Sequence, residues 1–439
     1  MDVLLLGTGS ADGWPSPFCT CASCMWAREA GEIRGQTAAL VDDTLLLDCG
    51  PEAPRAAVRL GRDFTAVRHM LLTHAHADHV GPSVLEWRRW ARHTEPLDIV
   101  GPPAVIRLCR EWTDRGDHTL RWHEVHAGDR LTVGSYDVRV LEANHDLAFG
   151  PPVLYDVTDG DGRRLLWGQD TGPLTGNAIE AMRDAAYDVV FLEETAGDAT
   201  LAGHLDLITW PLAIADLRRV GAVTANTRLV AIHLGCQNPP LPELSRRLGA
   251  WGAAALSDGA VVTVDEPPEL PRRCLPRRVL ILGGARSGKS QEAERRLRSE
   301  PDVTYVATAR SVPDDGEWAA RIAKHRDRRP PQWRTVETHD LVAMLSEPGP
   351  LLVDCLTLWV AALVDGNGDV QTETDALVRA WRETPAHVIA VSNEVGSGVV
   401  PASAMGREFR DELGALNARL AADADEVWLV TAGVAQRLK

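Results

Sequence analysis

Gly283-Gly284-Ala285-Arg286-Ser287-Gly288-Lys289-Ser290 follows directly on the apolar run Val279 to Leu282, with the spacing G-x-x-x-x-G-K-[ST]. In that pattern the glycines let backbone N–H groups turn inward around phosphate, the lysine reaches the outer phosphates and the last hydroxyl faces Mg²⁺. Gln291 to Arg298 can form a helix whose N-terminal dipole favours the same anion. Three further short apolar runs, Leu351 to Val353, His387 to Val391 and Glu426 to Val430, are each followed by polar or glycine residues. Such runs are expected of parallel strands buried on both faces, with function at their C-terminal ends. The stretch predicts a P-loop parallel-sheet α/β domain that holds nucleotide phosphates.

The chain has 439 residues, too many for one ordinary core. Asp265 to Arg278 carries four prolines and reads as an extended connector. The division expected is a domain over 1–265, a linker over 266–276 and a second domain over 277–439. In the first part Val3 to Leu6, Thr44 to Leu47, His69 to Leu72, Leu165 to Trp167, Val189 to Leu192 and Leu229 to Ile232 are strand candidates. A formal charge of −16, from 46 basic and 62 acidic residues, argues against nucleic acid or an anionic membrane as the main partner. No apolar run reaches the ~18 residues that span a bilayer, and no signal segment precedes Val3, so the chain reads as cytoplasmic. Eight cysteines without a secretory signal fit reduced thiols or metal ligands rather than disulfides.

The densest chemistry is Thr73-His74-Ala75-His76-Ala77-Asp78-His79, placed after the strand-like Met70 to Leu72. Four ligand-type residues this close converge on metal if the backbone turns sharply, which the small Ala75 and Ala77 permit; imidazole with carboxylate suits Zn²⁺, Mn²⁺ or Fe. The pattern resembles the H-x-H-x-D-H signature of the metallo-β-lactamase fold, an αβ/βα sandwich with a dinuclear site. That resemblance implies that His74, His76 and His145 hold one metal, that Asp78, His79 and His233 hold the other, and that Asp170 bridges them. Two divalent ions, Zn²⁺ or Mn²⁺, would supply an activated water at neutral pH. His69, His93, His118, His123 and His126 lack such context and are expected to be structural or exposed.

Cys19-Thr-Cys21-Ala-Ser-Cys24 would chelate Zn²⁺ if a fourth ligand came from elsewhere. The first part is similar to the phosphonate-metabolism phosphodiesterase branch of the same superfamily, in which such a cluster forms a structural zinc site with a His three residues beyond the last active-site His. Cys236 stands there, so the resemblance implies a site of Cys19, Cys21, Cys24 and Cys236, with simple free thiols as the alternative. His204, in Ala202-Gly203-His204-Leu205, is the candidate for the late-loop His that assists leaving-group departure in this fold.

Beyond the phosphate loop come Tyr305-Val-Ala-Thr308, Arg321 to Pro330 with Trp333 and Glu337, Val353 to Trp359, Val391 to Gly396, Val400-Pro401 and Arg407 to Asn417. These blocks resemble the bifunctional adenosylcobinamide kinase and adenosylcobinamide-phosphate guanylyltransferase of cobalamin assembly. By that resemblance Lys289, Ser290 and Asp354 position Mg²⁺ and phosphates for transfer to an alcohol, and His325 attacks the α-phosphorus of GTP and carries GMP to the phosphorylated acceptor. Arg321, with Arg326, Arg328 and Arg329, suits phosphate neutralisation. Glu337, Asn393 and Glu394 are open between base, metal and acceptor, and ATP and GTP are both open as kinase donor. Arg407 to Asn417 begins an amphipathic run expected to serve packing. The family assembles as a trimer, so a homo-oligomer is expected.

The combined expectation is a cobalamin-pathway enzyme acting on adenosylcobinamide with ATP and GTP, joined to a dinuclear-metal hydrolase for a phosphoester. Two alternatives stand beside it for the first domain: an independent cyclic phosphodiesterase, or a non-catalytic scaffold.

Overall fold

The strand Asp2–Gly7 (β1) shows why the first half of the chain is layered: Val3 and Leu5 are buried in one apolar cluster and Leu4 and Leu6 in another. Successive side chains point to opposite faces of a strand, so β1 is covered on both sides. A computed structural model describes residues 1–113, 117–264, 277–309, 323, 326, 328–366 and 369–439. It divides into two units, Met1–Pro271 and Arg272–Lys439; the Pro-rich stretch 266–276 lies outside the described residues.

In the first unit β1 is followed by Ala38–Val41 (β2), Leu45–Leu47 (β3), His69–Leu71 (β4), Leu97–Gly101 (β5) and Leu120–Glu124 (β6). Then come Arg130–Val133 (β7), Tyr136–Glu142 (β8), Val153–Thr158 (β9), Arg164–Gly168 (β10), Val189–Glu193 (β11), Arg228–Ile232 (β12), Ala253–Ala254 (β13) and Val261–Thr263 (β14). One seven-stranded sheet has the order β14-β1-β2-β3-β4-β5-β6, the other β13-β12-β11-β10-β9-β8-β7. Val3, Leu5, Val41, Leu47 and Leu71 of the first sheet pack with Val140, Tyr155, Trp167, Phe191 and Ile232 of the second. The outer face of the first sheet is covered by helices Ala53–Arg59, Ser83–Trp90 and Pro103–Glu111, that of the second by Gly176–Ala181, Thr209–Arg219 and Leu241–Gly249. This is the expected αβ/βα sandwich. Pairing is parallel from β3 to β6 and from β10 to β13, so the C-terminal ends of these strands share one edge within each sheet.

The second unit is one sheet, in chain order Arg278–Gly283 (β15), Thr304–Ala307 (β16), Arg334–Glu337 (β17), Pro350–Asp354 (β18), His387–Asn393 (β19), Glu426–Thr431 (β20) and Val434–Arg437 (β21). The spatial order is β17-β16-β18-β19-β15-β20-β21, parallel except for the antiparallel β20–β21 pair. Val279 and Ile281 join the helix Lys289–Arg296 on one face; Leu280 and Leu282 join helices Leu341–Ser346, Leu356–Asp365, Val370–Glu383 and Ala404–Asp423 on the other. Leu413, Leu416, Asn417 and Leu420 are the buried residues of Ala404–Asp423, the packing role expected of that run. The chain leaves central β15 for one side of the sheet and returns on its other side as β20, so the loop after β15 sits at a topological switch point.

Candidate active sites

In the first unit every His and Asp candidate ligand stands just past a strand end: His74 to His79 after β4, His145 after β8, Asp170 after β10 and His233 after β12. His74 Nε2 lies 2.9 Å from His76 Nδ1, which lies 3.2 Å from His145 Nε2. Ligand atoms around a tetrahedral ion with bonds of ~2.0–2.1 Å are about 3.3 Å apart, so these three nitrogens have the spacing of one metal shell. Asp170 Oδ2 is 3.5 Å from His74 Nε2 and 3.6 Å from His145 Nε2. Its Oδ1 is 3.4 Å from His79 Nε2 and 3.1 Å from His233 Nε2, while Asp78 Oδ2 is 2.9 and 3.3 Å from the same two nitrogens. Two ligand groups thus form, His74, His76, His145, Asp170 and Asp78, His79, Asp170, His233, each with its ligand atoms within 4.8 Å of one another.

Neighbouring groups fix which nitrogen faces the centre. His145 Nδ1 donates to the Gly203 carbonyl at 2.8 Å, leaving Nε2 as the ligand atom. The Thr195 hydroxyl donates to Glu193 Oε2 at 2.6 Å and accepts from His233 Nδ1 at 2.8 Å. Thr73 donates its hydroxyl and its backbone N–H to Asp48 Oδ1 at 2.9 and 2.8 Å, and Asp48 Oδ2 accepts from Trp167 Nε1 and faces His79 Nδ1 at 3.2 Å. Asp48, Thr195 and Glu193 were not among the residues singled out from the sequence. Asp48 follows β3 and Glu193 ends β11, the same position at a strand end that marked the ligands.

The residues fit a pair of divalent ions. Asp48, Asp78, Asp170 and Glu193 are four buried carboxylates, and buried anions require compensating charge. His79 Nδ1 and Nε2 and Asp170 Oδ1 are buried without a hydrogen-bond partner among the described residues. Burial pushes the His74 imidazole down to about 4, and it also lowers that of His76, which leaves neutral ligands at pH 7. Burial disfavours charge on His79, but Asp170, Asp78 and Asp48 outweigh it and hold this imidazole well above its ordinary value. Burial would raise the Asp170 carboxyl, yet His233 and His79 hold it well below the usual range.

His204 enters the site as well. Its ring is 4.7 Å from that of His145 and 5.9 Å from that of His233, and its Nδ1 lies 3.2 Å from Glu193 Oε1. Cys19, Cys21, Cys24 and Cys236 bring their sulfurs within 4.8 Å of one another. The backbone N–H of Cys21 donates to Cys19 Sγ and that of Cys24 to Cys21 Sγ, both at 3.4 Å; the first bond holds the Cys19 thiol below its ordinary value, whereas burial pushes Cys24 up to about 11 and Cys236 up to about 12. His69 and His123 instead contact Asp98, at 3.2 and 2.8 Å.

In the second unit the phosphate loop is shaped by close approach. A Cβ on Gly283 would come within 2.5 Å of both Ser287 Oγ and the Val430 carbonyl. Gly288, at φ 97°, caps the helix Lys289–Arg296, which begins two residues before the expected Gln291, because a left-handed residue lets the helix start at once. Buried Lys289 donates from Nζ to the Gly284 carbonyl at 3.1 Å, curling over the loop. Ser290 Oγ donates to Asp354 Oδ1 at 3.2 Å, and Tyr305 donates its hydroxyl to Oδ2 at 2.5 Å. A hydroxyl and a carboxylate side by side are hard oxygen donors of the kind Mg²⁺ takes alongside phosphate. The Arg329 guanidinium stacks 3.3 Å over the Tyr305 ring, and Arg328 pairs with buried Glu294 at 3.2 Å. Glu337 closes β17, exposed and 3.7 Å from Arg326. Arg321 and His325 lie outside the described residues.

The first unit is a metallo-β-lactamase-type sandwich with two His/Asp groups spaced as divalent-metal ligands would be, and the second a P-loop nucleotide-binding domain. A beta-lactamase superfamily domain profile matches residues 43–234, and the cobinamide kinase / cobinamide phosphate guanyltransferase profile matches residues 279–438. The bifunctional adenosylcobalamin biosynthesis protein CobU of Salmonella typhimurium is 40% identical over 181 residues, covering 37% of this chain and 99% of its own length. The chain belongs to the cobinamide kinase / cobinamide phosphate guanyltransferase family. In the first unit it is similar to ribonuclease Z of Mycolicibacterium gilvum, 30% identical over 177 residues, 39% of this chain and 49% of that protein. A solved diphosphatase of the PhnP family overlays with a TM-score of 0.47 at 18% identity, covering 60% of this chain and 96% of that one.

Proposed function

We propose that residues 277–439 phosphorylate the alcohol of adenosylcobinamide and then transfer GMP from GTP to the resulting phosphate. The full-length match to a bifunctional relative, together with a phosphate loop over which Lys289 curls and at whose end Ser290 bonds to Asp354, supports this reading. Mg²⁺ held by Ser290 and Asp354 would supply charge neutralisation at the phosphates. Lys289 neutralises the outer phosphates, and Gly283 to Gly288 direct backbone N–H groups at them. In the second reaction the His325 imidazole attacks the α-phosphorus of GTP, and the bond to pyrophosphate breaks. A phosphate oxygen of the acceptor then attacks the same phosphorus, and the P–N bond to His325 breaks. Arg321 lies in the same segment and supports charge neutralisation there. The full chain incubated with GTP labelled at the α-phosphate should carry acid-labile label, and His325→Ala should carry none; label retained in a folded His325→Ala would remove this residue from the reaction.

For residues 1–265 we propose a phosphoester hydrolase. His74, His76 and His145 would hold one divalent ion, Asp78, His79 and His233 the other, and Asp170 both; such a pair supplies Lewis acidity and an activated water. His204, held through Nδ1 by Glu193, presents its other nitrogen for proton donation to the departing oxygen. The four thiols would hold a structural Zn²⁺. A scaffold without chemistry is at odds with four carboxylates buried around converging imidazoles, an arrangement that packing alone does not reward. Metal-loaded full chain should release phosphate from ribazole 5′-phosphate or cleave a generic phosphodiester, with Asp78→Ala as the blank. Turnover of the first substrate alone ties this unit to the cobinamide reactions; turnover of the diester alone makes it a separate phosphodiesterase.

A further inference from the structure

Beside the two-metal ligand set the chain displays apolar surface that neither packing nor metal binding uses. The loop between β8 and β9 runs from Ala143 to Pro152, and on it Phe149 is 55% and Leu147 70% exposed. The Phe149 ring stands edge-to-face on the His76 ring, with centroids 5.1 Å apart and planes at 78°. His76 is one of the less buried ligands, so the phenyl group lies at the solvent side of the site.

The loop holds this position by several independent means. Ala148 N–H donates to Asp146 Oδ1 at 2.8 Å, Gly150 N–H to the Leu147 carbonyl at 3.0 Å, and Val153 N–H to the Thr73 carbonyl, next to His74, at 3.1 Å. Gly150 takes φ 93°, and a Cβ there would meet Ala104 Cβ at 3.0 Å, so the turn is backed against the helix Pro103–Glu111. Pro151 and Pro152 stiffen its exit. An exposed aromatic ring on a braced turn at the mouth of a metal site presents a preorganised apolar face.

We infer that Phe149 is the wall of a subsite for a planar aromatic or heteroaromatic group carried by the phosphoester substrate. This rests on the phosphoester reading of the first unit. With the phosphoryl group at the metals, a ring joined close to the ester oxygen reaches the Phe149 face, whereas a short alkyl group does not. Aromatic pairing of this kind sets a preference of about fivefold.

The test is calorimetric binding of phenylphosphonate and methylphosphonate to the Zn²⁺-loaded full chain, with metal content measured on every sample. The wild type should bind phenylphosphonate about fivefold more tightly; Phe149→Leu, which keeps bulk without the ring, should lose that preference, and Phe149→Trp should keep it. Equal affinities in the wild type, or an undiminished preference in Phe149→Leu, overturns the subsite while leaving the phosphoester reading intact. Binding of neither phosphonate to fully metal-loaded protein overturns the phosphoester reading and the subsite with it.

Discussion

Asp170 has one oxygen toward each ligand group and adopts φ 30°; Asp48 at 54° and His233 at 57° share this left-handed backbone. Non-glycine residues there cost ~1 kcal/mol or more and persist where surrounding contacts fix them, commonly at functional sites. Asp170→Asn should therefore release metal from both groups: elemental analysis should show loss of more than one ion per chain, with GMP labelling unchanged. The convergence of the candidate ligands was legible in the sequence because His and Asp clustered after apolar runs. The groups that orient them were not, since Asp48 and Glu193 carry no spacing signal, and Thr195 matters only once its hydroxyl lies between Glu193 and His233. Arg34 was equally hidden. It is buried, paired with Glu32 at 2.8 Å, bonded to Thr8 Oγ1 at 2.9 Å and to the Leu256 carbonyl. Truncating this buried side chain removes its packing and leaves the Leu256 carbonyl and Thr8 hydroxyl without their charged donor, so Arg34→Ala should destabilise the first unit by about 3 kcal/mol in urea unfolding.

At the scale of elements, the loop and helix after β15 form one device. Gly288→Ala forces a Cβ into φ 97°, and nucleotide affinity measured by calorimetry should fall at least tenfold while the far-ultraviolet spectrum is kept. Apolar runs identified the strands that are covered on both faces, such as β11, VVFLE, and β15. They passed over β6, LRWHE, and β17, RTVE, which lie at sheet edges with partly exposed side chains and lack a continuous apolar run. β9 escaped for another reason: Asp156 interrupts its apolar run, and only the structure shows that Arg164 and Tyr187 satisfy that buried carboxylate.

At the scale of the whole molecule, the apolar clusters of the two units share no residue among those described. Each half has its own cooperative core, so scanning calorimetry should resolve two transitions. Chelation of metal should lower the transition that the isolated residues 1–264 reproduce and leave the other unmoved, because a ligand stabilises only the unit that binds it. A single transition shifting as a whole would refute this. No helix among the described residues is long and apolar enough to cross a membrane.

The place of β14 has a consequence for biosynthesis. Asp2 and Leu4 pair with Thr263 and Val261, so β1 is an uncovered sheet edge until those last residues have left the ribosome. At ~5–20 residues per second the nascent chain waits tens of seconds with that edge open. Chaperone dependence during synthesis should accordingly concentrate in the first unit, and ribosome stalling before residue 261 should yield a chain that aggregates through β1.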